Sequence, residues 1–218
     1  MSRVIEKTVF EFHELSNRAK QSARQDYVDR GMVVDYGWHE YMFDDFVKCA
    51  ACLGVEINFD SRHTIGNKTI QHPCIYFSGF CSQGDGASFA GSYHPKIDAI
   101  EAVLAYAPRD TELQTFAEQL TALQMRVQLK HDKKVEAYIT CSGHYSHSNS
   151  MNVDVSVVGG NESDHAFERE EHELANIMRS FADWMYAKLE AEHDYQHSDE
   201  AIDEQLADHE FDEDGAIV

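Results

Sequence analysis

IYFSGFCSQGDGASFAGSYH, residues 75–94, decides the architecture: two strand-like runs surround a polar turn. Ile75, Phe77 and Gly79 alternate with Tyr76, Ser78 and Phe80. The run Ser88 to Tyr93 alternates in the same way, as paired half-buried strands do. Between them stands Gln83-Gly84-Asp85-Gly86. Asp-Gly suits the positive φ angles of a primed hairpin turn, and Gly84 widens the choice to a bulged loop. The stretch therefore predicts a hairpin and an antiparallel sheet. Ser82, Gln83, Asp85 and Ser88 would crowd polar groups at one hairpin end, a candidate ligand site, although turns also collect such residues for conformational reasons.

Outward from the hairpin, Val4–Phe12, Val55–Phe59, Val135–Thr140 and Met151–Val158 read as strands. Residues 60–73 read as a loop or loose hairpin around Gly66-Asn67. Ser16 caps a helix over 17–30 that stops at Gly31, and a second helix covers 38–53 before Gly54. Asp44 and Asp45 interrupt its apolar neighbourhood, and one of them is expected to be a hydrogen-bond partner at the core edge. Pro95 opens a short helix, and Asp110 or Thr111 starts a longer one. Leu174, Ile177, Met178, Phe181, Trp184, Met185 and Leu189 mark a helix over 168–193. Ser198 caps a short acidic helix to about residue 208, before a frayed FDEDGAIV end. The expected fold is α+β: a mainly antiparallel sheet of hairpins with helices packed on it. Residues 1–195 form one domain, and 196–218 form an acidic C-terminal appendage with a short helix.

The 218 residues carry a net charge of −21, unevenly placed. Residues 161–218 hold 19 acidic and 3 basic side chains. Such a field repels phosphates, which argues against direct nucleic-acid binding, and attracts basic grooves, including those that normally hold nucleic acid. An acidic tail that only aids solubility is the bland alternative. No apolar run has the length of a membrane helix, and MSRVIEKTVF lacks a signal-peptide core, so a cytoplasmic protein is expected. Five scattered cysteines suit reduced thiols, and Cys49-Ala50-Ala51-Cys52 on an apolar helix face reads as packing.

Two histidine-containing clusters invite a metal reading. Cys141, His144 and His147 are spaced by three, and Cys81, Asp85 and His94 lie on the central hairpin; if the two hairpins are neighbours, His94, Asp85, His144 and His147, with Cys141, would suit zinc. Residues three apart on a strand point opposite ways, so this requires the 141–149 connector to curl. No GxSxG elbow or phosphate loop is present.

Several stretches, in order along the chain, resemble an uncharacterised family carried by phages and mobile elements in bacterial genomes, sometimes labelled an antitoxin of a toxin–antitoxin system. They are Glu14-Leu15-Ser16 through Ala19-Lys20, the Asp44-Asp45 helix ending in Leu53-Gly54-Val55, FSGFCSQGDGASFAGSY, SGHYSHSNSM, and Ser198-Asp199-Glu200-Ala201-Ile202 with FDEDG. Residues 60–73 look longer than the family pattern. The resemblance implies a small accessory protein rather than a housekeeping enzyme. Together with the charge, it favours a non-enzymatic acidic binder, a nucleic-acid mimic that inhibits a basic host, defence or toxin protein. Glu168, Glu170, Glu171, Glu173, Asp199, Glu200, Asp203 and Glu204 are its expected contacts. The alternatives are a metal-dependent enzyme or ligand-binding module at the two hairpin ends, and an antitoxin against a basic toxin encoded next door.

Overall fold

The structure is a computed structural model that describes residues 7–33, 37–63, 69–141, 145–159 and 167–218. In chain order these form β1 (Phe10–Glu11), α1 (Asn17–Asp29), α2 (Glu40–Leu53), β2 (Val55–Ile57), β3 (Phe59–His63), β4 (Thr69–Pro73) and β5 (Ile75–Ser78). Then follow β6 (Gly86–Phe89), β7 (Gly91–Tyr93), α3 (Ala99–Tyr106), α4 (Thr111–His131), β8 (Lys134–Cys141), β9 (Met151–Val158), α5 (Glu168–Gln196), α6 (Asp199–Leu206) and β10 (Glu210–Phe211). The fold is α+β and every strand pairing is antiparallel. The described residues divide into two compact units: a central one, His39–Lys188, and a terminal one made of the chain up to Trp38 together with Leu189–Val218.

In the central unit the main sheet runs β2-β7-β8-β9. The hairpin exists, but its second arm is two strands. β6 pairs with β5 from Ile75↔Phe89 to Ser78↔Gly86, whereas β7 pairs with β2 and β8. Ala90 is the switch: its N–H bonds the Cys74 carbonyl, and its own carbonyl accepts from Asn58. Gly91 then lies so close to β2 that a Cβ would overlap the Glu56 carbonyl oxygen. β3 and β4 pair antiparallel, with Phe59 opposite Pro73 and His63 opposite Thr69; Gly66-Asn67 lies outside the described residues.

Helices cover this sheet through an aromatic core. Phe181 of α5 stacks on Trp184 at 5.4 Å and meets Phe89 and Phe116 edge-on, while Trp184 meets Phe46 of α2. Phe46, Phe89, Leu113, Leu120, Ile139 and Phe181 are all at most 2 % exposed. Gln124 of α4 ties helix to sheet, donating to the Val135 carbonyl at 2.7 Å and accepting from its N–H. Pro95 does not open a helix; α3 starts at Ala99, and Ile97 is left in solvent.

Asp110 fixes the start of α4. One carboxylate oxygen accepts from the Leu113 N–H at 2.9 Å, and the other takes the Trp184 indole N–H and the Lys188 ammonium at 2.8 Å. Burial works to raise its pKa, but Lys188, the Leu113 N–H and the indole outweigh it, so the carboxyl sits below its ordinary 3.8. A depressed folded value means that the stabilisation is complete above the unfolded value and is lost as pH falls through the folded one. Asp110→Ala is therefore expected to cost about 1 kcal/mol at neutral pH. It should also flatten the loss of stability as pH falls below about 4, read by urea unfolding at each pH. Wild type and variant losing stability in parallel down to pH 2 would remove this role.

In the terminal unit, Ser16 accepts from the Ala19 N–H at 3.2 Å and Gly31 takes a positive φ of 67°, the start and stop expected of α1. The chain after residue 196 packs on α1: Ile202, Leu206 and Phe211 are buried with Phe12, Leu15, Ala19, Ala23 and Tyr27. β10 pairs with β1, placing Phe211 opposite Phe10. The expected frayed end is instead a closed turn. Asp212 accepts from Asp214 and Ala216, and Gly215, at φ +90°, approaches so closely that a Cβ would overlap the Ala19 carbonyl. The strand expected over Val4–Phe12 is reduced to Phe10–Glu11, with residues 1–6 outside the described set.

Candidate functional site

Asp85 organises the loop between β5 and β6. Its Oδ2 accepts backbone N–H groups from Cys81 at 3.0 Å and Ser82 at 2.6 Å. The loop doubles back tightly enough that a Cβ on Gly79, at φ +49°, would run into the Asp85 carboxylate. With its acceptor oxygen engaged this way, Asp85 acts as a turn staple. Ser82 and Gln83 are exposed at the tip, whereas Ser88 is 1 % exposed inside β6, across from Tyr76. The four residues therefore do not share one surface. Beside the loop, Phe80 stacks on Tyr186 at 5.5 Å, and the Tyr186 hydroxyl donates to the Gly79 carbonyl.

The second hairpin connector does reach the first. A Cβ on Gly86 would stand 3.1–3.2 Å from His147, so the loop ends meet there. His147 serves its own connector, since its Nδ1 accepts from the Asn149 N–H at 3.0 Å and caps the short turn Ser148–Ser150. His94 is elsewhere. Tyr93 pairs with Ala137, so His94 follows beside Glu136, which it approaches at 3.5 Å. Cys141 ends the same strand five residues on, ~16 Å away at the strand rise. The convergence of His94 with Cys141 is thus excluded by register, and His144 lies outside the described residues. Burial raises the Cys141 thiol, and the Ser88 hydroxyl works against that rise. Among the described residues no group of three or more His, Cys, Asp or Glu side chains could hold a metal ion.

On α2, Asp45 accepts a short hydrogen bond from the Tyr106 hydroxyl, the partner role expected of one of the two aspartates. Cys49 is buried, and burial, then the charge of Asp45, push its thiol up to about 12. That suits packing and not thiolate chemistry.

The expected acidic contacts divide between the two units. Glu168, Glu170, Glu171 and Glu173 open α5 in the central unit, where Glu173 pairs with Arg126 at 2.5 Å. Asp199, Glu200, Asp203 and Glu204 lie on α6 in the terminal unit. Arg24 of α1 reaches Asp203 through two nitrogens at 2.6 and 2.7 Å and Asp199 at 2.9 Å. The Asp203 carboxylate, and then Asp199, raise the Arg24 pKa against the effect of burial. Those two acids therefore dock α6 on α1, and Glu200 and Glu204 remain exposed.

A cleft of about 390 Å³ in the terminal unit went unread in the sequence. Buried Tyr27 of α1, Trp38, and Glu192 and Tyr195 of α5 line it, with Glu204 of α6. Glu192 and Tyr195 share a helix face at three-residue spacing, and Glu192 also accepts from the Gln196 amide at 2.9 Å. Among the described residues no lysine or arginine lines the cleft.

A family model described as Domain of unknown function (DUF8835) matches residues 38–199, which contain the whole central unit. No curated protein and no solved structure matches the chain.

Proposed function

The chain belongs to that family, and we propose that it is a non-enzymatic acidic accessory protein of a phage or mobile element. In this reading it acts in the bacterial cytoplasm, where it binds and inhibits a basic, nucleic-acid-acting host or defence protein. One observation carries the reading: residues 189–218 hold 12 acidic side chains and no lysine or arginine. Arg24 is committed to Asp199 and Asp203. Glu200, Glu204, Asp208, Glu213 and Asp214 are exposed on α6 and the turn after it. A fixed array of carboxylates speeds encounter with a basic groove and opposes anionic competitors. If the basic partner is a toxin encoded next door, the same surface makes the protein an antitoxin. No described helix is long and apolar enough to cross a membrane.

The reading predicts capture of a basic protein on the tagged chain from nuclease-treated bacterial lysate at about 50 mM salt, with release by about 500 mM as screening shortens the range of the field. Replacing Glu200, Asp208 and Glu213 together with their amides should weaken capture by about tenfold. Retention indifferent to both salt and the triple substitution would overturn it.

A further inference from the structure

We propose that the cleft bounded by Tyr27, Trp38, Glu192, Tyr195 and Glu204 is a receptor for one arginine side chain. Three aromatic rings and two carboxylates around about 390 Å³ form a lining matched to a cation. A neutral apolar occupant would strip water from the Glu192 and Glu204 carboxylates and supply no cation in return, and a phosphate would be repelled by both. A guanidinium satisfies both the rings and the carboxylates, because it is planar, weakly hydrated, stacks on aromatic faces and donates in a fork that fits carboxylates, while the methylenes of the arginine stem suit Met32, Val33 and Ala201 beside them. The site has depth as well as charge. Tyr27, 6 % exposed, lies at its base, while Tyr195, 48 % exposed, stands at its edge. The surrounding residues 189–218 carry no lysine or arginine to compete for it.

That the arginine belongs to a basic protein partner rests on the function proposed above; the recognition of a guanidinium by this cleft does not. An arginine held on aromatic rings near carboxylates is the kind of anchor that concentrates binding energy in a protein interface, whereas exposed rim acids contribute mainly rate and salt dependence. The cleft would thus supply the short-range part of an association that the acids of α6 begin at long range.

The test titrates the full-length, ¹⁵N-labelled chain with N-acetyl-arginine amide and with its citrulline counterpart, which has the same shape without the charge. The arginine probe should produce saturable shifts at the Trp38 indole N–H and the Glu192 and Tyr195 amides. The Trp184 indole N–H, bonded to Asp110, should not move. Citrulline amide should bind at least about tenfold more weakly, and so should the arginine probe to Glu192→Gln or Tyr195→Ala, by loss of charge assistance or cation–π contact. The exposed Tyr195 makes its variant safe for the fold. Equal response to citrulline, or shifts spread over the acidic surface without Trp38, would overturn the proposal. The two readings fail separately. A salt-sensitive partner held equally well by Glu192→Gln and Tyr195→Ala would refute the cleft as the anchor and leave the acidic binder standing. Specific arginine binding without any salt-released partner would do the reverse.

Discussion

Phe211→Ala is expected to destabilise the terminal unit by about 3–5 kcal/mol, the cost of removing a large aromatic side chain from a packed core. Phe211 is fully buried, its ring centre is 5.8 Å from that of Phe12, and it pairs across the ribbon with Phe10. Its backbone is also bridged to Ile217, and its side chain sits in the buried cluster with residues of α1, against which Phe10 and Ile217 pack. Stabilities of whole domains are only about 5–15 kcal/mol, so a loss of this size should expose the unit to local opening. Hydrogen exchange resolves the effect by unit: amides of α1 and α6 should exchange faster by a factor of at least about a hundred. Those of β8 should keep their protection. An appendage that merely trails behind the fold would tolerate the change, and a shift below about 0.5 kcal/mol, the usual effect of a surface substitution, would show that the packing is not what holds α1.

Gly91→Ala is expected to cost about 3 kcal/mol, the upper part of the range for overpacking. The added methyl would overlap the Glu56 carbonyl oxygen and come within 3.1 Å of the Ile57 Cα, and both neighbours are backbone of β2, which cannot rotate aside. β7 sits between β2 and β8, so relief requires separating two paired strands. Gly84 is the control. It has open space around it and φ +103°, so Gly84→Ala should show only the conformational penalty of about 1–2 kcal/mol. Urea unfolding of the three proteins side by side would decide the matter. Gly91→Ala no worse than Gly84→Ala would mean that the motif glycine serves the loop and not the strand contact.

Most helices could be read from the chain because their ends are written locally. Ser16, Asp110 and Ser198 each accept a backbone N–H in the first turn, and Gly31 and Gly54 take the left-handed conformation at the stops. Alternation in Ser88 to Tyr93 marked extended backbone correctly, but alternation carries no record of which strand lies alongside. The change of partner at Ala90 therefore passed unseen. The FDEDG end misled for a related reason. Its acids outnumber its one phenylalanine, yet Phe211 and Gly215 make the close contacts, and Asp212 serves the turn. Asp85 is similar, since the features that drew attention to the GDG loop are the ones that fold it. The cleft was illegible because Tyr27, Trp38, Tyr195 and Glu204 come from segments far apart in the chain, and spacing rules reach only one or two helical turns.

The ribbon of β1 and β10 and the Arg24 ion pairs also set an order of events at the ribosome. Arg24 and Asp203 are 179 residues apart. At typical translation speeds the α1 segment must wait roughly 10–35 s for its partner to be synthesised. His39–Lys188 is contiguous and can complete its own contacts during that interval. Until α6 and Phe211 emerge, Phe12, Leu15, Ala23 and Tyr27 have no buried surroundings, and a nascent chain stalled before residue 199 presents them to chaperones and proteases. Termination just before α6 would therefore be felt at α1, whose Arg24 lies 179 residues before its partner Asp203.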